Sequence, residues 1–547
     1  MSEALGPMTQ RGGIAVACLL VGIALATAAR LPLAWHAGSH LDGDLAVDGL
    51  TLADALDGSW RWHYPGTPHI GSAPVLASAP IAWVDGLSAS SLVAGGLVLH
   101  AVLMVACFAL AWTMFGPTAA AWSVVPLAFG STGLVWLSGR ITGGHLLAAA
   151  WHAATLAVLA LALKTGRGRG WAWGLVVGAV CGLGFWVDPL ALFTLIAVVV
   201  AAWFARGPSN GSGRVVVMGA FLVGFGIGLA PRIIGARVDP YDAYREQFVT
   251  IFHPINPADG PIAWKQAGLL TVEHLRILGL ECLPRLVAGP GWPGPSTYPD
   301  PRSLGLKPPR EKGPKLWEWS AMAVGLMTTM LAVFGLMRAV ARSEAGNLAR
   351  PIVAGLAVSS LLVLAAFVVN RNIYDADNYR YLVPLLPALA VGFGAACDGL
   401  ARRGRAWLAC LVALAQAVFM TGALVAWYQG FGWLGPKPSE PSGALFAWLS
   451  EHPEVVEVEG SYWDIHPLAF EQRARKGNAG PRFVVMPGQP ERFGAGPKTD
   501  GARPRWFVVS DRSRLPGPAI AELMRGSRYR FAAQAGRYAI FERTDQP

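Results

Sequence analysis

Charge is scarce in this chain. Only 14% of its 547 residues are Asp, Glu, Lys or Arg, while 53% are hydrophobic. Ordinary soluble domains carry about 25% charged residues, and a soluble globule of this length could not hide so much apolar surface. Cysteine is scarce too: of the six, Cys18, Cys107, Cys181, Cys397 and Cys410 lie in apolar runs and only Cys282 lies in a polar loop. There is no C-x-x-C and no zinc-type spacing, so neither a disulfide framework nor a cysteine metal site is expected. A nucleotide-binding glycine loop is also missing, since Gly166-Arg167-Gly168 has no strand before it. No segment repeats at a fixed period. The net charge of +10 does not mark a nucleic-acid binder, because the basic residues sit in short clusters between apolar runs, where they set membrane topology.

Long apolar runs are what the chain has instead. They fall at Ile14 to about Pro32 and near 90–115, 117–138, 143–163, 171–187, 189–205, 214–231, 317–338, 351–370, 380–398 and 406–428. At 1.5 Å per residue most can cross roughly 30 Å of hydrocarbon, which predicts an α-helical polytopic membrane protein of about eleven spans. Ala24–Ala28 resembles a signal-peptide cleavage region, but the run is read as an uncleaved span. With a cytoplasmic N-terminus, the turns holding Lys164/Arg167/Arg169, Arg206/Arg214, Arg338/Arg342/Arg350 and Arg402/Arg403/Arg405 all face the cytoplasm, as the positive-inside rule requires. The loops 34–89 and 232–316 then face outward, as does everything after about 430. Residues 1–433 form the membrane part, 434–442 a Pro-rich linker, and 443–547 a small extracytoplasmic α/β domain. In that domain helical stretches near 443–451 and 517–526 alternate with β-rich runs at 455–458, 482–486, 506–509 and 538–541. Within the second long loop, 262–280 has helical spacing of apolar residues and suits an amphipathic helix on the membrane surface.

The polar chemistry collects between the first two spans. Residues 40–71 hold Asp42, Asp44, Asp48, Asp54 and Asp57, with His40, His63, His69, Trp60, Trp62 and Tyr64. Asp44 and Asp48 are one helical turn apart and would share a face, on a helix lying along the membrane surface with one wet side. A carboxylate at such a boundary can serve as a general base. Asp42 or Asp44 can equally be the helix N-cap. Arg140 and Arg380 stand at span ends on the outer side, where an Arg either clamps a phosphate with its forked donors or snorkels to the interface. His63 and His69 are candidates for sugar contacts or plain surface histidines, and Tyr64 for stacking on a sugar ring. Asp188 either lines a cavity or breaks the helix before Pro189.

Several pieces resemble the GT-C glycosyltransferases, membrane enzymes that take sugars from polyprenyl-phosphate carriers, and within them the protein O-mannosyltransferase and lipid A aminoarabinose transferase group. Leu41-Asp-Gly-Asp44-Leu-Ala46-Val47-Asp-Gly49-Leu50 is similar to the family's Asp-Glu-Ala-x-x-Gly-Leu segment. Tyr64-Pro-Gly66 to Gly71-Ser72 resembles its Tyr-x-Gly segment, Arg140 to His145 its Arg-Gly-Gly-Tyr turn, and Gly182 to Leu190 its Gly-Leu-Gly-x-Trp-x-x-Pro-Leu. Tyr379-Arg380-Tyr381 to Pro387 resembles its Arg-Tyr-Leu-x-Pro-x-x-Pro, and Tyr462-Trp463 the Tyr-Trp early in many outer domains. The resemblance implies that Asp44 is the catalytic base, and that Arg140 and Arg380 bind the donor phosphate. By the same reading Tyr64, His69, His63 and Tyr379 contact the sugar or substrate. Leu45 and Pro74 stand where many members have a second acid, so Asp42 or Asp48 is the candidate replacement. No cofactor is required and no residue is assigned to a metal; a divalent ion would need that second acid.

The expected activity is inverting transfer of a monosaccharide from a polyprenyl-phosphate donor to a lipid, glycan or protein acceptor, at the outer face of a bacterial inner (plasma) membrane. The alternative is a transporter or flippase of lipid-linked sugars, which would place charges inside the spans near the midplane.

Overall fold

The computed structural model of the chain describes residues 5–141, 144–165, 170–205, 211–238, 264–288, 316–341, 349–370, 373, 376–436, 442–476, 480–486, 505–510, 513 and 529–544. The expected helix near 517–526, the residues Asp375, Arg167, Arg169, Arg206 and Arg342, and most of the linker lie outside the described residues.

The protein is a multi-pass membrane protein. Among the described residues eight helices are long and apolar enough to cross a membrane, or up to ten if each of two bent pairs is one span. Large apolar side chains such as Leu222, Val223, Ile227, Met330 and Leu361 are exposed on them; in water such a surface would associate, whereas against acyl chains it is matched. Trp171, Trp203 and Trp407 are exposed at span ends beside the basic turns, where an indole is best solvated.

The eight unbroken spans among the described residues fall three short of the expected eleven: the run 214–231 bends by 45° between Val215–Gly228 and Ala230–Arg237, and two other runs depart locally. The run 189–205 forms only the 14-residue helix Ala191–Phe204. The run 117–138 is broken: Pro117–Ala128 and Thr132–Ser138 meet at 88°. Ser131 restarts the helix by accepting from the Leu134 N–H at 3.0 Å, and its hydroxyl reaches the carbonyls of Arg285 and Leu286. That bend carries Arg140 toward the acidic helix instead of along the bundle wall.

Elsewhere the spans pack through small residues. A Cβ on Gly178 would strike the Phe221 carbonyl, and one on Gly224 the Leu175 carbonyl. The helices Gly170–Val187 and Gly211–Gly228 therefore touch backbone to backbone, as membrane helices do where dispersion replaces the hydrophobic effect.

A short hairpin of β1 His63–Tyr64 and β2 Thr67–Gly71 follows the first span; the C-terminal domain adds β3 Glu457–Gly460, β4 Arg482–Val485, β5 Trp506–Val509, β6 Tyr529–Ala535 and β7 Tyr538–Arg543, which form a five-stranded sheet in the order β4-β3-β5-β7-β6. β3 runs parallel to both β4 and β5, while β5, β7 and β6 alternate in direction. β6 was not among the expected β-rich runs, because it alternates poorly: its middle residues face solvent. The helix Tyr462–Lys476 leaves the carboxyl end of β3, and this helix meets the membrane part.

Candidate active site

The acidic helix spans Gly43–Leu56. Asp42 caps it, its carboxylate accepting from the Leu45 N–H at 3.0 Å, a bond that typically contributes about 0.5–2 kcal/mol. Leu45, Ala46 and Leu52 bury one face in the membrane core. The opposite face is not wet, contrary to the expectation for a surface helix, because the helix Tyr462–Lys476 covers it. Gly43 lies under the Tyr462 ring and Gly49 under Phe470; a Cβ on either would clash. Val47 packs with Tyr64, Ile70 and Tyr462. Asp48, expected to share an open face with Asp44, is consequently 1% exposed, while Asp42 and Asp44 remain half-buried.

Arg140 bonds the Asp42 carboxylate, so Asp42 both caps the helix and holds an arginine. Burial works against the Arg140 charge, but Asp42 and, at longer range, Asp44 and Asp48 outweigh it and raise its pKa above the usual arginine value. The guanidinium also lies 4.9 Å over the Trp136 ring, a cation–π contact that strengthens when water is excluded. Arg140 is thus a fixed cation beside the Asp42–Asp44 end of the helix, not one snorkelling into lipid headgroups.

Tyr64 closes this end. It lies on the hairpin of β1 His63–Tyr64 and β2 Thr67–Gly71, whose turn places Gly66 at φ 70°. Its hydroxyl donates to the Asp44 carbonyl at 2.9 Å, and the ring is 4% exposed. An open stacking platform for a sugar is therefore the wrong picture of Tyr64; it braces the backbone at Asp44. His63 packs against Gly235, and His69 is half-buried on β2.

Tyr379, too, is turned inward, its hydroxyl donating to the Gly133 carbonyl at 3.0 Å. It ties the 3-10 segment Ala376–Leu385 to the bent helix that carries Arg140. A Cβ on Gly133 would strike the Arg285 carbonyl and approach the Tyr379 ring to 3.3 Å, so the segments that carry Arg285 and Arg380 meet beside the bent helix. Arg285 pairs with Asp377 at 2.9 Å, and Arg380 lies 5.3 Å over the Tyr381 ring. Arg285 belongs to this basic group; the sequence offered it, with Arg232, only as a weaker phosphate-binding candidate than Arg140 and Arg380. The signal was there only as one Arg in a long, irregular loop.

One pairing escaped the sequence. His145 Nδ1 lies 2.9 Å from Asp188, whose other oxygen accepts from the Leu190 N–H. His145 starts one span and Asp188 follows the end of the next, so an up-and-down hairpin brings them to the same membrane face. Tyr381 meets the His145 ring edge-on at 5.4 Å. The preceding Gly144, at φ 70°, leaves room for Pro74, which a Cβ there would approach to 3.3 Å. The pair thus stands next to the position that carries no second acid. Among the described residues no group of three or more His, Cys, Asp or Glu is arranged to hold a metal ion.

No protein-family profile and no curated protein matches the sequence. Solved structures do. ArnT from Cupriavidus metallidurans bound to undecaprenyl phosphate superposes with a TM-score of 0.58 at 14% identity, over 95% of this chain and 97% of that one. The same protein in the apo state gives 0.56 at 14% identity, over 96% and 98%. The archaeal oligosaccharyltransferase AglB from Archaeoglobus fulgidus, in complex with an inhibitory peptide and a dolichol-phosphate, gives 0.52 at 12% identity, over 97% of this chain and 75% of that one. The likeness runs through both the membrane part and the C-terminal domain, and the chain has the GT-C fold that its ordered motifs resemble.

Proposed function

We propose that this protein transfers a monosaccharide from a polyprenyl-phosphate carrier to an acceptor at the extracytoplasmic membrane face, with inversion at the anomeric carbon and Asp44 as general base. The observation that carries this reading is the meeting of the half-buried Asp44 with the Asp42–Arg140 pair at one helix end. The acceptor oxygen attacks the anomeric carbon from the side opposite the phosphate. The carbon–oxygen bond to the phosphate breaks, its electron pair stays on the phosphate, and the acceptor's proton passes to Asp44. Negative charge grows on the departing phosphate, and preorganised cations stabilise it there without reorganising. Arg140 and Arg380 are the residues assigned to that task, with Arg285 behind them. Asp42 is engaged as cap and arginine partner and Asp48 is buried, so a single base is the simpler mechanism. The fold likeness to ArnT bound to undecaprenyl phosphate supports a carrier of that kind. The four basic turns support a cytoplasmic N-terminus in a bacterial inner membrane.

The test is reconstitution of the full chain with undecaprenyl phosphate carrying a radiolabelled hexose or pentose, with envelope extract as the acceptor source. Label should leave the carrier in the parent protein and stay on it in Asp44→Asn. Movement of intact labelled carrier across the bilayer, with no label released, would support a flippase and sink the transferase.

A further inference from the structure

Asp44 is held from both parts of the molecule. Tyr64 fixes its backbone, and Tyr462, 418 residues away, donates its hydroxyl to the Asp44 carboxylate oxygen Oδ1 at 2.8 Å. The Tyr462 ring is 3% exposed and rests on Gly43, where a Cβ would come within 2.5 Å of the ring edge. Only glycine at that position lets the ring come close enough to place its hydroxyl on Asp44. The framework behind Tyr462 is equally determined. The residue opens its helix directly after β3, and two residues later Asp464 is gripped by the hydroxyls of Ser461, Ser510 and Ser513. Ser461 follows β3 and Ser510 follows β5, so this knot ties Tyr462 to the carboxyl edge of the sheet. Farther along the helix, Phe470 sits on Gly49 and Arg473 bonds Asp57, fixing the register of one helix on the other.

We propose that Tyr462 is a positioning residue for the base: its hydroxyl holds Oδ1 and so sets the rotation of the Asp44 carboxylate that receives the acceptor proton. The inference rests on the transferase reading and deepens it. It makes the C-terminal domain part of the reacting centre, beyond any role in recognising the acceptor. Losing the hydroxyl removes a carboxylate restraint without removing the carboxylate, and a misplacement near 1 Å at a reacting group can cost about 10²-fold. Tyr462 does not contact the carrier in this scheme, so the effect falls on turnover and not on donor KM.

The experiment compares the full-length parent, Asp44→Asn and Tyr462→Phe in nanodiscs, with labelled undecaprenyl-phosphate sugar and envelope extract. Tyr462→Phe keeps the ring on Gly43 and is expected to lower kcat by about 10–50-fold, with donor KM within about twofold. A role as a mere fastener is separated by a second background. There Asp57→Cys and Arg473→Cys are joined by a bifunctional maleimide, with Cys18 and Cys410 replaced by Ala. The joined Tyr462→Phe protein should remain slow. Restoration of turnover by the joint, or parent-like kcat in unjoined Tyr462→Phe beside an inactive Asp44→Asn, overturns the positioning role alone. A parent protein that moves no label overturns the transferase reading, and this role with it.

Discussion

Two aspartates stand on either side of the same interface and differ in how their charge is treated. Asp464, in the C-terminal domain, is fully buried; three serine hydroxyls satisfy its oxygens, and burial raises its pKa above the usual carboxylate range. Asp44, in the membrane part, is half-buried, accepts the Tyr462 hydroxyl and lies near the fixed cation Arg140. A carboxylate wrapped in neutral donors and shut from water organises the chain around it. One that is reachable and set beside a cation is equipped to exchange a proton with something that arrives. Tyr462 belongs to both: two residues from Asp464 in sequence, it is bonded to Asp44 in space.

The strongest way to break this comparison is to neutralise the first aspartate. Asp44→Asn preserves shape, so the thermal midpoint should hold while transfer of labelled sugar falls by about 10²–10⁴-fold, the usual contribution of a positioned base. If transfer persists within tenfold of the parent, Asp44 is not the base and the contrast between the two aspartates loses its meaning. The reciprocal change is Asp464→Ala. It strands three hydroxyls in a dry site, and a buried polar group left unpaired costs about 1–3 kcal/mol. Urea unfolding of the C-terminal domain in the full chain should therefore shift earlier by that order. Turnover per folded molecule should change far less than in Asp44→Asn; equal losses in both variants would mean that the two sites are not distinct in kind.

Arg140→Lys sharpens the comparison from the cation's side. Lysine keeps the charge but loses the fork that can serve Asp42 and a phosphate together. Undecaprenyl phosphate binding, measured by thermophoresis, is expected to weaken about tenfold, and an unchanged Kd would return Arg140 to the part of an Asp42 partner only.

Much of this was legible in the sequence, and the division is physical. Apolar runs, basic turns and the Pro-rich linker are local signals, so the membrane part and the C-terminal domain could be read directly. Asp44 was singled out among five acids only by the resemblance of its segment to the family's motif, and Arg140 and Arg380 read equally as a phosphate clamp or as snorkelling span-end arginines. Pairings between distant segments left no local trace. Nothing near Gly43 and Gly49 says that Tyr462 and Phe470 press on them, so the acidic helix reads as amphipathic with a wet side when it is a filling between two layers. The break at Gly130–Ser131 was hidden inside an unbroken hydrophobic run, since a serine cap costs that run little polarity. His145 and Asp188 each looked like a lone polar residue at a span end. Only the hairpin geometry joins them.

The smallest effect concerns pH, and it tests the aspartate that is not the base. Asp464 has a raised pKa in the folded chain, whereas an unfolded aspartate titrates near about 3.9. Between those values the folded domain holds a proton that the unfolded chain has lost, so stability falls as pH rises through that window and levels off above the folded value. Glu542 has the opposite sign. Bonds from Arg530 and Arg505 hold its pKa below the usual range, so its contribution is present above the unfolded glutamate value, about 4.3, and is lost as pH falls toward the folded one. Solvent screens it, because both arginines are largely exposed. The two windows therefore lie on opposite sides of about pH 4, and mildly acidic to neutral conditions isolate Asp464. Asp464→Asn keeps most of the serine bonding but has no proton to lose, so its urea midpoint should be flatter with pH than the parent's above about pH 4, with the curves converging at the acid end. Parallel curves would mean that the serine knot holds Asp464 charged as readily as water does, and that burial does not distinguish it from Asp44.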